Sequence, residues 1–215
     1  DSETQGALER EDCDVVECRK GGSRFRTAAS SGRAYRARVA DPMREIEVKI
    51  LEIDWRRTAR RLQRLGARKT FDGRMVAAYF DYRDARLKRS DCLLRLRKKG
   101  KSSCEITYKR TLSKKKARVM AEYEVAVEDF EGMKKILESL GLREFARLAK
   151  RRISYRLDGV RFEIDLYPGL PPFLEIEATT AKIRRYAEKL GFSMAEAKPW
   201  SIRDVLKYYG KSEAI

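Results

Sequence analysis

The clearest pattern in the chain is a strict alternation of charged and apolar residues that begins near residue 44. In the run Arg44-Glu45-Ile46-Glu47-Val48-Lys49-Ile50, apolar residues occupy every second position from Ile46 onward. Successive side chains of a β-strand point to opposite faces. The run therefore predicts a strand with one charged face and one apolar face.

The same alternation returns in seven later segments at the spacing of hairpins. They are 77–83, 92–99, 105–109, 118–125, 150–157, 161–166 and 173–178. Asp158-Gly159 is a hairpin signal, and Phe71-Asp72-Gly73-Arg74 predicts a further turn between two strands. Eight antiparallel strands are enough to close a barrel that holds one small ligand.

An open sheet with its charged face in water is the simpler explanation for any single strand. The charged faces of these strands, however, carry both signs at comparable density, as an enclosed lining that pairs internally would. Only four short helices are predicted to cover the apolar faces, at about 55–65, 130–140, 181–190 and 201–209. We therefore predict an α+β fold: an eight-stranded antiparallel β-barrel, charged inside, with a few packing helices.

Residues 1–42 show neither helical nor strand periodicity. They are predicted to form a disordered leader, and residues 43–215 to form the folded domain. The leader holds eight basic and eight acidic residues, so the whole excess of the +17 net charge lies in the folded domain. Such a charge favours phosphate-rich partners such as nucleotides or polyphosphate.

Several kinds of site are excluded by composition. The chain has no histidine, and its four cysteines form no Cys-x-x-Cys pair, which argues against zinc sites and histidine-based triads. Unpatterned cysteines fit a reducing cytoplasm, and no apolar run approaches the roughly 20 residues of a membrane span. We expect a cytoplasmic protein without a membrane partner. Nucleic acid is not an expected partner, and a homodimer is left open.

The charged faces suggest a site for a polyphosphate and a metal. Arginine offers phosphate a planar fork of donors, and lysine a compact point charge. The predicted triphosphate ligands are Lys49, Arg95, Arg97, Lys109, Lys150 and Arg152. Carboxylates supply the hard oxygen ligands that Mg²⁺ or Mn²⁺ prefers. The predicted metal ligands are Glu45, Glu47, Asp165, Glu175 and Glu177, with Glu122 and Glu124 behind them.

The motif E-x-E-x-K at Glu45, Glu47 and Lys49 resembles the signature of the CYTH superfamily, the triphosphate tunnel metalloenzymes. Later elements follow in the same order as in that superfamily: L-R-L-R, T-Y-K, E-Y-E, K-R-R, I-D-L and F-L-E-I-E. The resemblance covers residues 43–209. It implies a barrel tunnel that binds a triphosphate with two divalent metal ions, and it assigns catalytic roles to Glu45, Glu47, Lys49 and Lys109.

The order of motifs is most similar to that of class IV adenylyl cyclases, which convert ATP to cyclic AMP and pyrophosphate. The cyclase signature carries His-Phe just before E-x-E-x-K, where this chain has Val39-Ala40. That departure keeps an inorganic or thiamine triphosphatase open as the alternative. A non-enzymatic polyphosphate- or RNA-binding module is a third reading. It gains nothing from carboxylates on at least four strands, so we favour an enzyme.

Overall fold

The computed structural model describes residues 43–100 and 103–211. The strands are β1 (Met43–Ile50), β2 (Arg68–Tyr82), β3 (Cys92–Lys99), β4 (Ser103–Ser113), β5 (Arg118–Val127), β6 (Leu142–Leu157), β7 (Val160–Leu166), β8 (Phe173–Glu177) and β9 (Ala197–Lys198). The helices are α1 (Trp55–Arg64), α2 (Arg86–Arg89), α3 (Phe130–Ser139), α4 (Thr180–Lys189) and α5 (Ile202–Tyr208).

Strands β1 to β8 close into an antiparallel barrel. The strand order is β5-β4-β3-β2-β6-β7-β8-β1, and β1 pairs back onto β5 through contacts such as Ile46 opposite Val119. The two-residue strand β9 adds beside β1 at Lys49 and Ile50. The predicted α+β fold with an eight-stranded antiparallel barrel is therefore confirmed.

The hydrophobic core lies outside the barrel, between its wall and the helices. One apolar cluster joins outward residues of β1, β6, β7 and β8 to helices α1 and α4, and includes the fully buried Val48, Phe162 and Leu62. A second cluster joins β2 and β3 to helix α3, around Phe80 and Leu96. Because the apolar faces pack outward against helices, the charged faces must line the interior.

Local sequence signals fix the ends of several elements. The Asp54 carboxylate caps α1 by accepting a 3.0 Å hydrogen bond from the backbone N–H of Arg57. Gly66 follows α1 with φ of 86°, a left-handed conformation that ends helices at little cost to glycine. Asp158 and Gly159 both have positive φ between β6 and β7, as a two-residue hairpin turn requires.

The predicted turn at residues 71–74 is wrong. Strand β2 runs through it, and Phe71 and Gly73 pair with Ser154 and Arg152 of β6, after a register shift between Lys69 and Phe71. The long partner β6 overrides the local turn propensity of Asp-Gly. The predicted polar connection at 84–91 contains the one-turn helix α2. The four predicted helices differ from the observed ones by one residue at one or both ends.

Some predictions fall on residues that the structure does not describe. The proposed leader, residues 1–42, and the two positions 39 and 40 where cyclases carry His-Phe lie outside the described residues. Among the residues that are described, no helix is long and apolar enough to span a bilayer.

Candidate functional site

The interior of the barrel is a charged cavity of about 380 Å³. It has the size of an ordinary small-ligand site. All thirteen residues predicted as metal or triphosphate ligands line this one cavity. Strand parity alone placed each of them on a charged face, and barrel closure brings those faces together.

The charges of the cavity are nearly balanced. Its lining contains ten basic and eight acidic side chains, a surplus of two positive charges. A triphosphate carries more negative charge than that surplus. Full neutralisation of a bound triphosphate therefore requires cations besides those of the protein, which is a reason to expect metal ions with the substrate.

At one side of the cavity, Lys109 is shared by two carboxylates. Its Nζ lies 2.5 Å from Glu45 Oε2 and 3.1 Å from Glu122 Oε2. Burial raises the pKa of Glu45, but attraction to Lys109 and hydrogen bonds with Lys109 and Glu122 together outweigh burial and lower the pKa to about 2. For Glu122, burial and the nearby charge of Glu45 raise the pKa. Glu45 and Glu122 compete for one lysine, and their pKa values therefore shift in opposite directions.

The second and third motif residues form an ion-pair chain across β1 and β8. Lys49 Nζ lies 3.0 Å from Glu47 Oε1 and 2.8 Å from Glu175 Oε2. Arg118 of β5 adds a 3.1 Å contact to Glu47. Burial opposes the charged form of Glu175, yet Lys49 and Arg152 hold its pKa well below the usual range. Lys49 is buried as well, and its two carboxylate partners raise its pKa.

Asp165 lies at the centre of a third group of ion pairs, with Arg152 and Lys150. Arg152 binds both of its carboxylate oxygens, Nε to Oδ1 and Nη2 to Oδ2, each at 2.6 Å. Lys150 Nζ also lies 2.6 Å from Oδ2. Since Arg152 already neutralises Asp165, Lys150 is a surplus buried cation. Burial first, and then repulsion from Arg152, lower the pKa of Lys150 to about 7.

Strands β3, β4 and β5 supply the remaining predicted residues. Arg97 pairs with Glu105 and lies 3.5 Å from Glu124. Arg95 donates to Thr107 Oγ1 at 3.2 Å and lies 4.0 Å from Glu124, the most exposed of the predicted carboxylates. Glu177, the last predicted metal ligand, is paired with Arg161. Arg161 thus pairs with a carboxylate inside the cavity.

Two buried donors in this cavity have no hydrogen-bond partner. They are the Nε atoms of Arg95 and Arg118, in the part of the chain that the structure describes. An unpaired buried N–H costs on the order of 1–3 kcal/mol, so each marks a place for an acceptor such as a phosphate oxygen. This observation fits an anionic ligand and does not depend on any resemblance.

The donor chemistry also fits a divalent metal ion. The cavity holds eight carboxylates, whose oxygens suit Mg²⁺ or Mn²⁺. Each predicted metal ligand has a basic side chain within 4.0 Å, for example Lys109 at Glu45 and Lys49 at Glu175. Within residues 43–100 and 103–211, no three acidic side chains are arranged as a ready metal cage. A metal would therefore exchange with lysine or arginine at these carboxylates.

Several residues of the cavity were not among the predicted ligands. Arg118 shares a strand face with Glu122, so strand parity could have indicated it. Tyr167 and Phe173 stack at 5.8 Å beside Lys150, and Ser201 begins α5 at the cavity wall. Phe173 shares strand parity with Glu175, and Tyr167 with Asp165, so alternation could have indicated both, whereas Ser201 lies outside the alternating segments.

Three comparisons with known proteins agree on the family. Residues 43–204 match the model of the CYTH domain. A Methanocaldococcus jannaschii protein, described as a candidate adenylate cyclase, is 30% identical over 141 residues, which are 66% of this chain and 80% of that protein.

Solved structures show the same barrel. A Pyrococcus horikoshii protein superposes with a TM-score of 0.65 at 29% identity, covering 75% of this chain and 98% of that one. A Hippeastrum protein, described as a candidate adenylyl cyclase with a dominant triphosphatase activity, superposes with a TM-score of 0.58 at 14% identity, covering 78% and 96%. A charged tunnel, a matching family model and these relatives lead to one conclusion: the chain belongs to the CYTH domain family.

Proposed function

We propose that this protein is a metal-dependent enzyme that cleaves a triphosphate bound in the barrel tunnel, with ATP converted to cyclic AMP and pyrophosphate as the leading reaction. The observation that carries the proposal is the convergence of the six predicted cations and the unpaired Arg95 and Arg118 donors on one cavity. Such a set can hold a polyphosphate chain along its length.

The roles follow from the contacts. Arg95, Arg97 and Arg152 would bind phosphate oxygens through their forks, and Lys49, Lys109 and Lys150 would neutralise the remaining charge. A bound Mg²⁺ or Mn²⁺, held by Glu45, Glu47 and neighbouring carboxylates, would polarise the phosphoryl oxygens. In the cyclase reaction the ribose 3′-oxygen attacks the α-phosphorus, and pyrophosphate leaves. The protein contributes position and charge stabilisation, which supply most of the catalysis in phosphoryl chemistry.

A nucleotide is favoured over bare polyphosphate by the apolar part of the lining. Tyr79, Tyr167 and Phe173 line the cavity, and Lys150 Nζ lies 5.2 Å from the Tyr167 ring centroid. Tyr79 and Phe173 are buried, but the half-buried ring of Tyr167 offers a base a surface for stacking, which inorganic tripolyphosphate does not use. The name of the Methanocaldococcus relative agrees with a cyclase.

A triphosphatase is the second candidate. It is favoured by Val39-Ala40, which stand where cyclases carry His-Phe, and by the activity reported for the Hippeastrum protein of the same fold. In this reaction water attacks the terminal phosphorus, the bond from that phosphorus to the bridging oxygen breaks, and the diphosphate leaves while the transferred group becomes orthophosphate. The same cations and carboxylates serve both reactions, because both develop charge on the same phosphate chain.

Product analysis separates the two candidates. The protein is incubated with ATP, GTP, thiamine triphosphate or tripolyphosphate, with Mg²⁺, Mn²⁺ or a chelator, and products are identified by chromatography. Cyclic AMP with pyrophosphate supports the cyclase, whereas orthophosphate together with the corresponding diphosphate, and no cyclic AMP, supports the triphosphatase. Binding without turnover of any of the four substrates under both metals would refute an enzyme and leave a polyphosphate-binding module.

A further inference from the structure

A second strongly basic surface lies outside the barrel, on helices α1 and α4. Residues 55–69, which contain α1, include seven basic and no acidic side chains. Helix α4 adds four basic residues against one glutamate. We define the α1–α4 basic face by its exposed members, Arg56, Arg57, Arg60, Arg64, Arg184, Arg185 and Lys189.

The two helices form one side of the molecule. Both pack on the same apolar cluster, through residues such as Leu62 and Ile183. They also touch directly, because the Arg61 guanidinium donates a hydrogen bond to the backbone carbonyl of Leu190 at the end of α4. Their apolar sides are therefore held against the barrel, and their cations face away from it. None of these residues lines the tunnel.

The arrangement on α1 is unfavourable for the helix by itself. Arg57, Arg60 and Arg64 follow each other at spacings of three and four residues and thus share one helix face. Like charges at such spacings repel each other and destabilise a helix. A helix that merely faces water usually mixes acidic and basic residues, whereas α1 has no acidic residue at all.

No ion pair joins the cations of this face to a carboxylate in the described parts of the chain, although the Asp54 carboxylate at the start of α1 attracts Arg57 and Arg60. The ion pairs on the described surface of the protein involve residues outside this face, such as Arg151 with Asp72 and Arg147 with Glu144. The row from Arg57 to Arg64 is about 10 Å long, at 1.5 Å per helical residue. A row of cations of this length can bind a polymer whose negative charges are closely spaced. The face is therefore suited to a polyanion.

The surroundings of the face decide which polyanion fits. Insertion into a lipid surface needs exposed apolar side chains, and the large exposed ones, such as Val125 and Leu140, lie on other elements. Single-stranded nucleic acid usually stacks its bases on exposed rings. Here Tyr186 is buried and Trp55 is half-buried beneath Arg56, whose Cζ lies 4.7 Å from the ring centroid. Cations without stacking surfaces suit a duplex, whose bases are already stacked.

We propose that the α1–α4 basic face binds the phosphate backbone of double-stranded nucleic acid without reading its sequence. Nucleic acid was not an expected partner from the sequence, because an RNA-binding module gains nothing from carboxylates on at least four strands and because the leader carries no net charge. The excess charge lies instead in the folded domain, and the fold concentrates part of it on one outer face. RNA and DNA present the same phosphate chemistry, so the experiment includes both.

The test measures fluorescence anisotropy of labelled RNA and DNA duplexes of about 20 base pairs and random sequence, titrated with the whole chain at several salt concentrations. The test variant is Arg57→Gln/Arg60→Gln/Arg64→Gln. The matched control, Lys98→Gln/Lys135→Gln/Arg143→Gln, removes the same charge from exposed positions around α3. We expect the test variant to bind about 10- to 100-fold more weakly and its salt slope to fall by about 2–3. The control is expected to change affinity less than about twofold.

Both variants are also melted with and without tripolyphosphate, which reports on the tunnel. The expected stabilisation by tripolyphosphate is that of the wild type, because no altered residue lines the cavity. Tighter binding of either RNA or DNA identifies the source of the duplex and supports the proposal. Equal losses in both variants, no duplex binding by the wild type, or binding of anionic vesicles in place of duplexes would overturn it.

Discussion

The two faces of the barrel strands differ in the side chains that they bury: the outer face buries apolar residues, and the inner face buries charged ones. On β1, Val48 and Ile50 are buried against helices on the outside, while Glu47 and Lys49 are as deeply buried inside. The outer face gains stability from apolar burial, about 25 cal/mol per Å². The inner face gains little, since ion pairs in a low-dielectric interior roughly repay the cost of removing both charges from water. Stability and chemistry thus reside on alternate residues of the same strands.

The sharpest way to test this division is to damage the outer face. Phe162 is fully buried on the outer face of β7, where it meets Tyr186 edge-on at 5.5 Å. Phe162→Ala is expected to lower the free energy of unfolding by about 3–5 kcal/mol, measured by guanidinium denaturation. Turnover per folded molecule should remain that of the wild type. A loss below about 1 kcal/mol would contradict an outer core at this position.

The converse test removes one charge from the inner face. Glu47→Gln keeps the shape of the side chain but removes a proposed metal ligand and the negative charge beside Lys49 and Arg118. We expect metal-dependent turnover to fall at least about 100-fold, equivalent to about 2.7 kcal/mol of activation free energy. The cost in stability should be smaller, on the order of 1–3 kcal/mol. Glu138→Gln on exposed α3 is the control, and equal turnover in both variants would show that the β1 face has no catalytic part.

Truncating the cations one at a time measures the polyphosphate site. Alanine at Arg95, Arg97, Lys109, Lys150 or Arg152 removes a charged hydrogen bond, worth about 1.5–3 kcal/mol of tripolyphosphate binding. The measurement is the rise in melting temperature caused by tripolyphosphate, which reports preferential binding to the folded state. Lys98→Ala is the matched control, because Lys98 lies between Arg97 and Lys99 on β3 but is exposed. Wild-type stabilisation in most of the five variants would rule out a tunnel built from them.

The smallest expected effect is a dependence of binding on pH. The pKa of Lys150 is lowered to about 7, so in the free protein this side chain loses its charge as the pH rises through neutrality. A bound polyanion favours the charged form, so tripolyphosphate affinity should fall about tenfold between about pH 6.5 and about pH 8.

Lys150→Arg provides the matched control for that pH dependence, because arginine stays charged throughout this range. Comparison with this variant also cancels the titration of tripolyphosphate itself. Affinity is measured by isothermal calorimetry at each pH. Identical pH profiles for the wild type and Lys150→Arg would show that Lys150 does not titrate there.

Alternation was a reliable guide to which face each site residue occupies. The thirteen predicted residues all reached the cavity, because a period of two leaves only two faces and barrel closure makes one of them the inside. The turn predicted at 71–74 failed for the opposite reason. Asp-Gly has a local preference for a turn, but pairing along the whole of β6 outweighed it. A local preference for a turn is overridden where the segment can pair along a long neighbouring strand.

Composition and alternation by themselves determined the barrel, its charged interior and the residue types that line it. Only the tertiary structure decided how those charges pair: that Lys109 joins Glu45 to Glu122, and that Arg152 leaves Lys150 as a surplus cation. It also placed the arginines of α1 beside those of α4 on one outer face. Alternation determines the face to which each side chain points. Its partners depend on distances between strands and helices that are far apart in sequence, and only the closed fold sets those distances.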